Sequence, residues 1–170
     1  MLIIMDVDKF SLTIDFEDEI HCANLNGHFT SKLSNKSLNS VQEILSHTGP
    51  STIFVVGDIC KKYRSFLSEL CSDGHEIGSH SMTHPLLTRL TRKNKIQEIL
   101  DSKKIIEDIL AVPVLGFRSP NFVYDKEVIE LVQSSGYLYD SSKLDNSSLH
   151  ARASKITKTL DFPQFVISGR

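Results

Sequence analysis

The sequence predicts an α/β fold, a parallel sheet with helices packed outside it, and three observations carry that reading. Short β-branched or apolar runs alternate with longer segments of helical periodicity. One run, TIFVVG at 52–57, is continuously apolar, as a strand covered on both faces must be. The unusual polar clusters all fall where a predicted strand ends, which is where parallel folds carry their chemistry.

With 170 residues, 40% apolar and 24% charged, the chain is expected to form one domain over 1–170. A net charge of -2 offers no electrostatic basis for binding nucleic acid or an anionic membrane. No apolar run approaches the roughly 20 residues that span a bilayer. The opening MLIIMDVDKF lacks the basic start of a signal peptide. Cys22, Cys60 and Cys71 show no CxxC spacing and read as reduced thiols, so the expected location is cytoplasmic.

In chain order, SLTID (11–15) alternates polar and apolar residues and reads as a strand ending on acids. A polar connection over 24–40 passes into a short helix around Leu38, Val41, Ile44 and Leu45. The strand at 52–57 follows. Ile59, Tyr63, Phe66, Leu67 and Leu70 then recur at spacings of three and four, predicting one amphipathic helix that stops near Asp73-Gly74. His75 to His80 is a third strand. Ile96, Ile99, Leu100, Ile106 and Leu110 mark a long helix ended by Pro113, with lysines and glutamates outward. Val114 to Phe117 is the fourth strand. Asp125 can cap a helix through Val128, Ile129 and Val132 that ends at Gly136. Tyr137 to Asp140 is the fifth strand, and Leu160 to Ser168 can form a sixth.

Four clusters sit at these strand ends. Asp15-Phe16-Glu17-Asp18-Glu19 packs four acids into five residues. Such crowding costs stability unless a cation or arginine offsets it, and it can supply both a general base and a metal ligand. A solvated acidic turn is the plain alternative. The segment GHEIGSHSMTHP (74–85) gathers three of the seven histidines. His80 and His84, four apart, can turn both rings to one centre. With a carboxylate from a neighbouring strand end they would make a His-His-carboxylate set, the arrangement of a catalytic metal with an open position. His75, on the same strand upstream, reads as a structural histidine. Arg118 ends a buried strand, where an unpaired guanidinium is expensive, and its natural partner is the acidic cluster. Tyr139-Asp140-Ser141-Ser142 reads as ordinary turn chemistry.

Taken together and in order, SLTIDFEDEIH, STIFVVGDI, GHEIGSHSMTHP, GFRSPNF and SSGYLYDSS resemble the motifs of the NodB-homology polysaccharide deacetylases. The likeness runs from about Ser11 to Ser142. The Asp-x-Glu-Asp form of the first motif is similar to the branch found with exopolysaccharide and O-antigen biosynthesis. The resemblance implies a distorted, incomplete (β/α) barrel. It also implies a hydrolase that uses a divalent metal, most simply Zn2+, to remove acetyl groups from an N-acetylated sugar or polysaccharide precursor.

By the same resemblance Asp15 is the catalytic base, Arg118 orients it, and His80 and His84 are metal ligands. The third ligand is Glu17 or Asp18, with Asp18 slightly favoured because a short side chain after a strand end is placed more tightly. The turn Ser119-Pro120-Asn121 lends backbone N–H groups to the oxyanion, with Asp140 at the next strand end. One departure stands out. The family's general-acid histidine lies in a Leu-x-His motif, whereas His150 sits in SSLHARA. The resemblance therefore implies a domain cut short at its C-terminus, with a sheet edge open to a second copy. Two other functions stay open: hydrolysis of a different amide, such as a cyclic ureide or imide, and a non-catalytic binding partner.

Overall fold

The computed structural model describes residues 12–18, 21, 35–144 and 164–167. Its backbone is a six-stranded sheet in the order β1-β2-β3-β4-β5-β6, in which every neighbouring pair is parallel. The strands are β1 (Thr13–Phe16), β2 (Thr52–Val55), β3 (Glu76–Ser79), β4 (Gly116–Phe117), β5 (Tyr139–Leu144) and β6 (Gln164–Ile167). The helices are α1 (Asn35–Thr48), α2 (Gly57–Cys60), α3 (Arg64–Ser72), α4 (Arg92–Leu110) and α5 (Lys126–Ser134). Sequential parallel order is that of a barrel wall, and among the described residues no ladder joins β1 to β6. The predicted α/β class and incomplete barrel describe this sheet.

The register explains which residues meet. Ile53 and Val55 on β2 and Ile77 on β3 are buried against helical residues such as Leu67, Leu70, Ile99 and Ile106. Alternation then turns Thr52, Phe54, Glu76 and Gly78 to the opposite, inner face. On that face Asp15 pairs with Phe54, and Phe54 with Gly78. Gly78 is required there, since a Cβ would lie 2.6 Å from the Phe54 ring. Gly116 yields in the same way to the ring of Tyr139, its partner across β4 and β5.

Several elements depart from expectation for identifiable reasons. Helix α1 begins at Asn35, inside the stretch expected as a connection. Its serines and asparagines are weak helix formers, and the helix is held by Leu45, which is buried, with Leu38 and Val41 packed on the core. The single helix expected from Ile59 to Leu70 is two, broken at Lys61–Tyr63, where Tyr63 leaves helical geometry. Strand β4 is shorter than predicted, and β5 runs on through Asp140-Ser141-Ser142 rather than turning there. Their polar groups are satisfied within the sheet, so they need no turn. Helix α4 carries one inward lysine: Lys95 is 3% exposed and reaches Asp125 at 3.1 Å and Glu127 at 2.6 Å. Asp125 also caps α5, accepting the Val128 N–H at 2.8 Å, as expected. His150 lies outside the described residues.

Candidate active site

The carboxyl ends of β1, β3, β4 and β5 bring Asp15, Glu17, His80, His84, Arg118 and Ser141 to one end of the sheet. Arg118 is 2% exposed and is held on every side. Its Nη1 donates to Asp15 Oδ1 at 2.6 Å, and its Nη2 donates to Thr13 Oγ1 and Ser141 Oγ, each at 2.9 Å. Its Nε donates to the Ser141 carbonyl at 3.2 Å, and its guanidinium lies 4.0 Å from the Phe54 ring centroid. The charge pairing expected between Arg118 and the acidic cluster is therefore made to Asp15. With Oδ1 committed to arginine, Asp15 keeps Oδ2 toward His80, 3.8 Å from its Nε2.

Both histidines have their tautomers fixed by carbonyl groups. His80 Nδ1 lies 2.8 Å from the Arg118 carbonyl, and His84 Nδ1 lies 3.1 Å from the His21 carbonyl. A carbonyl only accepts, so each Nδ1 carries the proton and each Nε2 presents a lone pair to the site. Burial pushes the His80 imidazole below its usual range, with the Asp15 carboxylate opposing the shift. His84 Nε2 sits 2.9 Å from Glu17 Oε2. A lone pair facing a carboxylate oxygen at that distance repels unless a second proton or a cation lies between them.

Donor atoms of Glu17, His80 and His84 all lie within 4.8 Å of one another. Two imidazole nitrogens and one carboxylate match the donor set of a catalytic zinc site. The residues present thus fit a divalent metal. Asp18, favoured on side-chain length, lies elsewhere: its carboxylate accepts from Lys62 Nζ at 2.5 Å and from the Tyr63 hydroxyl at 2.7 Å. The break between α2 and α3 is what turns those two donors toward it.

The turn after Arg118 offers less than expected. The Ser119 N–H donates to Ser142 Oγ at 2.7 Å, and Pro120 has no N–H. Of the three residues, only Asn121 carries an N–H that these bonds leave to the site. Asn121 and Phe122 both have a φ of 56°. Non-glycine residues in that region are held by their surroundings, a feature frequent at functional sites. Asp140 is fully buried and faces Ser142, accepting its N–H and its hydroxyl, each at 2.9 Å. Burial pushes the Asp140 carboxyl up to about 6, against the Ser142 hydrogen bonds and the Arg118 charge. It thus stands behind the turn, through Ser142 and Ser119.

His75 is away from this end, its Nδ1 accepting the Ser51 N–H at 3.2 Å, as a structural histidine would. Two further residues at this site gave no signal in the sequence. His21 supplies the carbonyl that fixes His84, while its ring accepts the Asp18 N–H at 3.1 Å and reaches Asp58 at 3.3 Å. Glu98, on α4, accepts three hydrogen bonds from Met82 and Thr83 between the two histidines. Neither carried a spacing signal, because both act across long sequence separations.

Comparison with known proteins gives consistent matches. Residues 27–139 match the family model described as polysaccharide deacetylase. That match begins after Asp15 and Glu17, so their placement rests on the geometry alone. The peptidoglycan-N-acetylmuramic acid deacetylase PdaC of Bacillus subtilis is 38% identical over 76 residues, which is 45% of this chain and 16% of that protein. A chitooligosaccharide deacetylase of Sinorhizobium fredii is 27% identical over 96 residues, 55% of this chain and 44% of that protein. The chain spans less than half the length of these two curated relatives. Among solved structures, peptidoglycan deacetylase PdaC from Bacillus subtilis superposes with a TM-score of 0.57 at 22% identity, over 93% of this chain and 73% of that one. At that identity the likeness is one of fold.

Proposed function

The chain belongs to the polysaccharide deacetylase family, and from that premise we propose that it is a metal-dependent hydrolase releasing acetate from an N-acetylated sugar or polysaccharide precursor. The observation that carries this reading is the meeting of Glu17, His80 and His84 beside an arginine-held Asp15. Glu17, His80 and His84 would hold the metal, and we assign Zn2+ on the mixed nitrogen and oxygen donors. Bound there, it would polarise the acetamide carbonyl and lower the pKa of the attacking water toward 7, from about 15.7.

The remaining work falls to this chain's own side chains. Asp15 takes the water proton at Oδ2, since Oδ1 is committed to Arg118. Arg118, held in turn by Thr13 and Ser141, prevents rotation of that carboxylate. Asn121 donates its N–H to the oxygen that gains charge. Asp140 keeps the turn carrying Asn121 in place through Ser142. When the carbon–nitrogen bond breaks, Asp15 returns its proton to the leaving amine. The compartment we assign is the cytoplasm, on the free thiols of Cys60 and Cys71. Among the described residues no helix is long and apolar enough to cross a membrane.

The test is acetate release from short N-acetylglucosamine oligomers, peptidoglycan fragments and N-acetylated nucleotide sugars. Zinc-loaded protein is expected to release acetate from one of these classes, and Asp15→Asn to reduce it by about a hundred- to ten-thousand-fold, the span of acid–base catalysis. Release unchanged in Asp15→Asn would remove Asp15 from the reaction.

A further inference from the structure

His80 and His84 are joined by Ser81-Met82-Thr83, a loop with no regular structure. Its backbone is held in an unusual shape, with Ser81 at a φ of 65° and His84 at 61°. Left-handed geometry at two non-glycine residues does not persist unless the surroundings impose it. The loop is gripped from two directions. From α2, the Gly57 N–H donates to the Ser81 carbonyl at 2.9 Å and the Asp58 N–H to the Met82 carbonyl at 3.0 Å. From α4, Glu98 Oε2 accepts the N–H groups of Met82 and Thr83, each at 2.9 Å, and Oε1 accepts the Thr83 hydroxyl at 2.6 Å. Inside the loop, Ser81 Oγ accepts the His84 N–H at 3.1 Å.

We infer that Glu98 is a positioning residue for the metal centre, fixing the separation and orientation of His80 and His84 through the backbone between them. The inference rests on the metal-binding reading of Glu17, His80 and His84 given above. Two consecutive N–H groups converging on one carboxylate oxygen form charge-assisted bonds, stronger than neutral ones. Glu98 can hold them because its own helix is fixed. Thr91 Oγ1 caps α4 by accepting the Asn94 N–H, and Lys95 ties the same helix to Asp125 and Glu127. Ile99, next to Glu98, is fully buried. Without the carboxylate, the Met82 and Thr83 N–H groups lose their hold on α4, and relaxation of Ser81 and His84 toward negative φ would turn the His84 ring away from Glu17 and His80.

The experiment measures zinc affinity by competition with a chromophoric chelator, on wild type, Glu98→Ala, Glu98→Gln and His84→Ala, with circular dichroism on each to establish folding. Partners that orient metal ligands typically contribute about 10- to 100-fold in affinity, so Glu98→Ala is expected to weaken zinc binding by that factor. Glu98→Gln keeps the size but only one acceptor oxygen and no charge, so its affinity is expected to fall between those of wild type and Glu98→Ala, whereas a purely packing role predicts wild-type affinity. Should Glu98→Ala be unfolded, an affinity for Glu98→Gln between those of wild type and His84→Ala supports the inference, and one equal to wild type overturns it. Folded Glu98→Ala with wild-type affinity, while His84→Ala has lost zinc, overturns the positioning role alone. Zinc binding unaffected by His84→Ala overturns the metal reading and this inference with it.

Discussion

Replacing Asp140 by asparagine changes how stability depends on pH, and the structure sets both sign and size. Asp140 is fully buried, with its carboxyl pushed up from 3.8 to about 6 by burial. A raised carboxyl pKa means that the folded protein binds this proton more tightly than the unfolded chain does. The stability it contributes is therefore greatest below 3.8 and is lost as pH rises through about 6. At roughly 1.36 kcal/mol per pKa unit, the ionised group costs about 3 kcal/mol at neutral pH. Asparagine is neutral throughout and keeps one acceptor for Ser142, so it forfeits about 1 kcal/mol of hydrogen bonding at any pH. The variant should accordingly be less stable than wild type near pH 3 and more stable near pH 7, the difference swinging by about 3 kcal/mol. In a chain this long that corresponds to about 6–12 °C of relative melting temperature. Thermal unfolding followed by circular dichroism on both proteins across that window reads it directly. Parallel melting profiles, with no crossing, would refute the buried ionisable carboxyl.

Removing the guanidinium with Arg118→Met leaves Asp15 without its partner. Breaking a buried pair costs about 3–5 kcal/mol, and partial exposure of Asp15 places this one near about 3, read as a lower denaturation midpoint with an unchanged slope. The same variant should lose deacetylation in kcat more than in KM, because Asp15 is misdirected and substrate contact is not. Gly116→Ala forces a Cβ into the Tyr139 ring, and overpacking of that kind should destabilise by about 1–3 kcal/mol in chemical denaturation. Lys95→Met, which strands Asp125 and Glu127 between α4 and α5, should lower the melting temperature in thermal unfolding, since it unties α4 from α5.

The parts legible in the sequence are those where one residue type has one economical use. A continuous apolar run such as TIFV has to be buried on both faces, and it became β2. Arg118 at a buried strand end had to find an acid, and it found Asp15. The choice between Glu17 and Asp18 was not legible, because it depends on a helix break at Lys61–Tyr63 that periodicity ran straight through. That break delivers Lys62 and Tyr63 to Asp18, leaving Glu17 to face the histidines. Asp140-Ser141-Ser142 looked like a turn because those residues favour turns when exposed. Buried in β5, the same groups serve Arg118 and Ser119 instead. Glu98 resembled any outward glutamate of a long helix, since its partners lie in a loop 15 and 16 residues away.

Anomalous diffraction at the zinc absorption edge, from crystals of the zinc-loaded protein, locates the metal without reference to activity. One strong peak is expected, bonded to Glu17, His80 and His84, with Asp18 still held by Lys62 and Tyr63 and Asp15 still held by Arg118. A peak bonded to Asp18 in place of Glu17, or no peak at this end of the sheet at full zinc loading, would contradict that ligand set.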